Sequence, residues 1–180
     1  GDVYKRQDKT DDKIPIAGPP ACPGSKGEKA LVKDFSEHIR LMEQEVPFNR
    51  YLGIRVLEIR EGFVKVTVPF RPEFIGDPRR PALHGGVLSA AMDACGGFAV
   101  WTFFAIRDLI STVDMRVDYL RPAPPEDFIV ESKVVRNGNR VSVVHTSLYG
   151  TGDPDHPVAE GRAVYNTRRS TAGDEKQVLS

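Results

Sequence analysis

Asp93 is the only charged residue between Gly85 and Ile106, a run otherwise made of Gly, Ala, Cys95 and larger apolar residues, with Ser89 and Thr102 as its other polar members. An ionised carboxylate in such surroundings is costly unless it is hydrogen-bonded or neutralised. A carboxylate held there suits general-base or nucleophilic work. It could also cap a strand's backbone or pair with a buried arginine, although a charge kept in such a run favours a functional use. Gly85-Gly86 stand at its start. Two glycines at a helix start let a ligand approach the backbone closely. The first N–H groups of a helix lack intrahelical partners and carry the positive end of its dipole. A carbonyl oxygen placed there would find an oxyanion site. Gly85 and Asp93 are eight residues apart, about 12 Å along a helix axis. That is too far for both to touch one carbonyl in a single chain, and a dimer would resolve the distance. A plain turn also accounts for Gly85-Gly86, and close helix packing accounts for Gly96-Gly97.

The elements that must position these residues are legible from periodicity. Glu28 to Gln44 has the spacing of an amphipathic helix ending before Pro47. Ile54–Arg60 and Phe63–Phe70 are predicted strands around the Glu61-Gly62 turn, the second with Val64, Val66, Val68 and Phe70 alternating with Lys65 and Thr67. Arg71 to Pro81 is loop. Val87 to Phe104 is predicted as one long helix, apolar nearly all round and therefore buried. Next comes a strand in which Thr112, Asp114, Arg116 and Asp118 alternate with Val113, Met115, Val117 and Tyr119. Phe128–Val135 and Val141–Tyr149 flank an Asn137-Gly138 hairpin turn, and Val158–Thr167 closes the sheet. Two strands precede the long helix and four follow. Short turns favour antiparallel pairing. The expected architecture is α+β, a largely antiparallel six-stranded sheet wrapped around one long central helix. It occupies residues 31–169, between an extended or disordered arm (1–30) and a polar tail (170–180).

The 25 basic and 25 acidic residues cancel, so no global field draws the chain to nucleic acid or anionic lipid. An anionic ligand would need local arginines. Cys22 and Cys95 are too few to staple a chain of 180 residues, and Cys95 reads as a small buried hydrophobe of a reducing, cytoplasmic compartment. No His/Cys cluster has metal-ligand spacing, so no metal is expected. His38, His145 and His156 read as surface or packing residues. Met92, Phe98, Trp101 and Phe103 could line a pocket, although aromatic residues on a buried helix usually belong to the core.

His84-Gly85-Gly86-Val-Leu-Ser-Ala-Ala-Met-Asp93 resembles the HGG(x)6-[Asp/Glu] signature of the hotdog-fold thioesterases related to 4-hydroxybenzoyl-CoA and phenylacetyl-CoA thioesterases. The likeness continues through Phe48…Leu52-Gly53-Ile54, Ser111–Ala123, Val134–Arg140 and Val158–Tyr165, covering about residues 45 to 168. It implies hydrolysis of an acyl-CoA thioester by a homodimer whose two helices lie side by side, often paired again into a tetramer. Coenzyme A is then part of the substrate, and no cofactor is expected. Asp93 falls on the catalytic acid, as nucleophile or as base for water. Gly85 falls on the glycine whose N–H polarises the carbonyl, His84 on the signature histidine, and Thr112 where a Ser or Thr assists. Many members carry an Asn or Gln about six residues before the histidine; here Pro78 stands there, beside Asp77. For the coenzyme A moiety the candidates are Gly86, Arg121, Arg136 and Arg140, with Arg79-Arg80 as a further pair.

Three other readings compete. A membrane span over Val87–Ile106 would put Asp93 near its centre at about 2.5–3.5 kcal/mol, and no membrane partner is expected. A hotdog hydratase or dehydratase would use a His with an acid, but under a different motif. A non-catalytic acyl-CoA-binding regulator would have no need of the acid, although Pro78 in place of the usual Asn or Gln fits it.

Overall fold

The computed structural model describes residues 33–170, so the expected arm at 1–30 and nearly all of the tail lie outside the described residues. Helix α1 spans Ser36–Arg40, widens into a π turn over Leu41–Glu45, and is followed by α2, Pro47–Leu52. The helix expected from Glu28 thus begins, within the described residues, at Ser36, where the Asp34 carboxylate accepts the Ser36 N–H at 2.9 Å. Pro47 at the first turn of α2 and Gly53 at φ 75° beyond its end set the limits of that short helix.

Six strands follow the expected order: β1 Arg55–Arg60, β2 Phe63–Val68, β3 Leu109–Tyr119, β4 Phe128–Asn137, β5 Val141–Gly150 and β6 Ala159–Arg168. They form one sheet, ordered β1-β2-β4-β5-β6-β3, in which every pairing is antiparallel. Between β2 and β3 runs α3, Gly85–Trp101, two residues earlier at its start and three shorter at its end than the apolar run predicts. Its C-terminus is fixed by the buried Thr102, whose Oγ1 donates to Ala99 O and accepts the Gly62 N–H from the β1–β2 turn, both at 2.7 Å.

One face of α3 meets the sheet. Leu88, Ala91, Met92, Cys95, Phe98 and Ala99 pack into a core with Val64, Val66 and Val68 of β2, Phe128 and Val130 of β4, and Leu148 of β5. The Cys95 thiol is enclosed and donates to Val64 O at 3.3 Å, and burial pushes its pKa up to about 12, so it is an inert core residue at neutral pH. The opposite face corrects the expectation of all-round burial: Ser89, Ala90, Asp93, Ala94, Gly97 and Trp101 are only partly buried. These positions follow the i, i+3, i+4, i+7 spacing of a single stripe. Gly, Ala and Ser are small enough to sit on either a buried or an open face, so composition could not distinguish the two.

A bulge between Thr112 and Asp114 interrupts β3 where it pairs with β6. The extra residue, Val113, is pushed outward and is 63% exposed. Simple alternation put Thr112 on the face of Asp114, Arg116 and Asp118. The bulge instead moves it to the face of Met115, Val117 and Tyr119. β3 is also an edge strand, with Leu109, Val113 and Tyr119 each at least half exposed.

His38 on α1 packs against the end of α3, with Nε2 3.3 Å from Trp101 O and Nδ1 enclosed without a partner. Burial holds its pKa below the ordinary 6.5, aided by the charge of Lys33 and opposed by the Trp101 and Phe104 carbonyls. The unfolded chain therefore takes up a proton that the folded chain refuses. His38 contributes stability above pH about 6.5 that is lost as the pH falls through its lowered pKa. Urea unfolding at pH 5 and pH 8 should show a smaller acid loss in His38→Gln than in the wild type.

Candidate active site

His84, in extended conformation, caps α3: its Nδ1 accepts the Gly86 N–H at 2.9 Å. A side chain at residue 86 would meet that imidazole nitrogen at 2.9 Å, which explains the glycine. His84 O accepts from Val87 N and Leu88 N, whereas the Gly85 N–H bonds to no described residue. Of the two glycines, Gly85 therefore keeps its N–H free at the positive end of the helix. Tyr119 lies over it, donating from Oη to Gly85 O at 2.9 Å, with ring atoms 3.2–3.3 Å from where a Cβ would be.

Asp93 sits two turns further along, on the open stripe. Its Oδ1 accepts from Thr112 Oγ1 at 2.8 Å and from Tyr165 Oη at 3.1 Å, and Tyr165 Oη is also 2.9 Å from Asp93 O. Oδ2 has no hydrogen bond to any described residue. One oxygen is thus anchored and the other is without a hydrogen-bond partner among the described residues. Neither structural role open from the sequence, backbone capping or pairing with a buried arginine, is the one Asp93 plays among the described residues.

Tyr165 is the site residue that periodicity did not single out. It points inward from β6, 1% exposed, and its hydroxyl pKa is raised by burial, then by the Asp93 charge and by the hydrogen bond to it. It stays a protonated donor. Gly96 and Gly97 make room for the ring, and a methyl at Gly96 would run into Tyr165 Oη. The Gly96-Gly97 pair is therefore a packing feature, as expected, but one that admits a ligand of the acid. Gly96→Ala should push the tyrosine off Asp93, lowering both Tm and kcat. Tyr165→Phe should lose about 10- to 10²-fold in kcat, given about 1.5–3 kcal/mol for a hydrogen bond to a charged group. Steady-state kinetics beside thermal melts separate the two effects.

Asp93 lies between two hollows. A groove of ≈ 470 Å³ runs between α3 and β3, lined by Ser89, Ala90, Asp93, Thr112, Met115, Val117 and Tyr119. On the other side a hollow of ≈ 150 Å³ is walled by Asn49, Ala94, Gly97, Phe98, Trp101 and Ile110, with Asp93, Thr112 and Tyr165 at its polar end. Phe98 and Trp101 are therefore wall residues. Met92 is core, packed near Gly161, and Phe103 lies against Gly62.

Arg121 shares a third hollow with Gly85, Leu88 and Tyr119. Arg136 and Arg140 lie at the β4–β5 hairpin, next to Val134, which bonds Gly62 O beside the C-terminal end of α3. Within one chain they are not brought to Gly85. Arg79 is engaged by Asp77 at 3.0 Å on the surface. That pair stands on a loop pinched off by Gly76 N–H to Ala82 O at 2.9 Å, and a Cβ at Gly76 would lie 2.9 Å from His84 Cα. The Asp77-Pro78 position is therefore at an exposed tip, with its carboxylate turned to Arg79, and within one chain it makes no hydrogen bond to Asp93. Among the described residues no three His, Cys, Asp or Glu side chains gather to hold a metal, and no helix is long and apolar enough to cross a membrane.

Comparison with known proteins bears on the family and the fold. Residues 81–170 match the family model described as Thioesterase superfamily. The medium/long-chain acyl-CoA thioesterase YigI of Escherichia coli is 32% identical over 117 residues, 58% of this chain and 76% of that protein. A Shewanella oneidensis protein related to the thioesterase superfamily superposes with TM-score 0.64 at 30% identity, covering 73% of this chain and 94% of the other. A thioesterase-family protein from Silicibacter pomeroyi shares the fold, with TM-score 0.69 at 22% identity over 76% of this chain and all of the other. With its hotdog architecture and its signature acid on the central helix, this chain belongs to the thioesterase superfamily and is a thioester hydrolase.

Proposed function

We propose that the chain hydrolyses acyl-CoA thioesters with aliphatic acyl groups of medium to long length. The observation that carries this reading is the state of Asp93, with Oδ1 held by Thr112 and Tyr165 and Oδ2 facing open space between a groove and an apolar hollow. Oδ2 acts as base toward water or as nucleophile toward the thioester carbon. The Gly85 N–H, free at the start of α3, polarises the carbonyl. His84 keeps that turn in place by holding Gly86. The Phe98, Trp101 and Ile110 wall suits an apolar chain, and the name of the Escherichia coli relative supports the length class. Arg121, beside Gly85, is the arginine best placed for a coenzyme A phosphate.

The working unit is a homodimer. α3 is regular from Gly85 to Trp101, so the separation of about 12 Å between Gly85 and Asp93 stands within one chain. The open stripe of α3 and the unpaired edge of β3, with its exposed Leu109, Val113 and Tyr119, form the surface available to a second copy. The test is release of free coenzyme A thiol from acyl-CoAs of graded chain length. Turnover rising from short to medium chains supports the reading. Tight binding without turnover favours a regulator, and hydration of an enoyl-CoA favours the hydratase class; either result overturns it.

A further inference from the structure

Asn49 is the polar group the site leaves without work. It lies on α2, whose inward positions are Asn49 and Leu52, while Phe48 and Tyr51 face outward at 53% and 54% exposure. An apolar residue would be expected at an inward helix position three residues from Leu52. Asn49 is instead 3% exposed, and its side-chain amide hydrogen-bonds to no described residue. Burying an amide without a partner costs about 1–3 kcal/mol on mutational scales. The enclosed, unpartnered side-chain atoms among the described residues belong to His38 and Thr167, not to Asn49. The amide therefore opens onto the hollow it lines.

That hollow holds four polar side chains: Asn49, Asp93, Thr112 and Tyr165. Thr112 and Tyr165 are committed to Asp93 Oδ1. Asp93 Oδ2 and the Asn49 amide remain, facing one space with apolar walls. We infer that Asn49 is a catalytic residue that holds the hydrolytic water opposite Asp93, an inference that rests on the thioesterase reading above. The water gives one proton to Asp93 Oδ2 and donates the other in a hydrogen bond to Asn49 Oδ1, which leaves a lone pair for the thioester carbon. The new C–O bond forms as the C–S bond breaks. The departing thiolate takes the proton from Asp93, so one water and one thioester yield one acid and one thiol. Helix α2 thereby supplies an amide that the Asp77-Pro78 loop does not.

The test compares wild type, Asn49→Leu and Asn49→Ser by steady-state hydrolysis of a medium-chain acyl-CoA, with thermal melts of each. Leu keeps the branched shape of Asn, and its extra volume goes into the apolar-walled hollow, so its Tm should hold. Its kcat should fall about 10²-fold, at the low end for loss of one positioned polar group in proton-transfer chemistry, with KM within about twofold. Asn49→Ser, smaller but polar, should retain an intermediate kcat. Unchanged kcat in a folded Leu variant overturns the inference and leaves the thioesterase reading intact. A raised KM at constant kcat also overturns it, since Asn49 would then bind the acyl group rather than water. If Asn49→Leu does not fold, Asn49→Ser decides on the same criteria. A wild type that hydrolyses no acyl-CoA overturns the thioesterase reading and this inference with it.

Discussion

Replacing Asp93 with Asn should lower kcat for acyl-CoA hydrolysis about 10³-fold, within the range for loss of a positioned general base, and leave KM nearly unchanged. The split follows from the geometry. Thr112 and Tyr165 hold Oδ1, and an amide oxygen can accept the same two hydrogen bonds. The side chain keeps its place, its volume and its contacts with both hollows. What disappears is the charge on Oδ2, to which no described residue hydrogen-bonds. A group that acts on the reacting atoms but hardly on the ground-state complex changes kcat rather than KM. Stability should hold or rise, because a half-buried charge is exchanged for a neutral amide. Free-thiol assays beside thermal melts provide the measurement. Undiminished turnover in Asp93→Asn would sink the mechanism, whichever role Asp93 is given.

Much of this is legible in the sequence. Val64, Val66 and Val68 point into the core as their alternation requires, because one face of a sheet strand is buried and a register slip would expose all three. Asp93 stood out because a charge in an apolar helix needs a reason. What escaped the sequence escaped for local physical causes. A bulge has no reliable periodicity of its own, so simple alternation places Thr112 on the wrong face of β3. Tyr165 looks like any inward aromatic of a strand. Only the closeness of its hydroxyl to Gly96 reveals what the glycine pair is for. Asn49 sits within a likeness that extends from Phe48 to Ile54, yet nothing in that segment says that its amide faces the acid from another element. Sites shared by distant elements, here the hollow lined by Asn49 and by Asp93 44 positions later, are where patterns along the chain stop being informative.

Two inactive variants should restore activity to each other if the site is shared between subunits. Asp93→Asn removes the acid. Gly85→Val crowds Tyr119, whose ring atoms already lie 3.2–3.3 Å from a Cβ at that position, and blocks the approach to the N–H. In a dimer that joins Asp93 of one chain to Gly85 of the other, a mixed pair collects both lesions in one site and leaves the other site intact. Random mixing makes half the dimers mixed, each with one working site, so activity should return to about a quarter of wild type from two preparations with almost none. If each chain used its own Gly85 and Asp93, every site would carry a lesion and mixing would recover nothing. The experiment thus decides between an intact α3 bridging its own separation of about 12 Å, which helix geometry forbids, and a second α3 supplying the missing end. Recovery should also depend on subunit exchange, appearing after co-expression or co-refolding but only slowly on mixing folded dimers. Val113→Asp, which places a charge at the most exposed apolar position of the β3 edge, should reduce both the dimer fraction seen by sedimentation and the recovered activity in parallel. A fully active monomer would overturn the shared site.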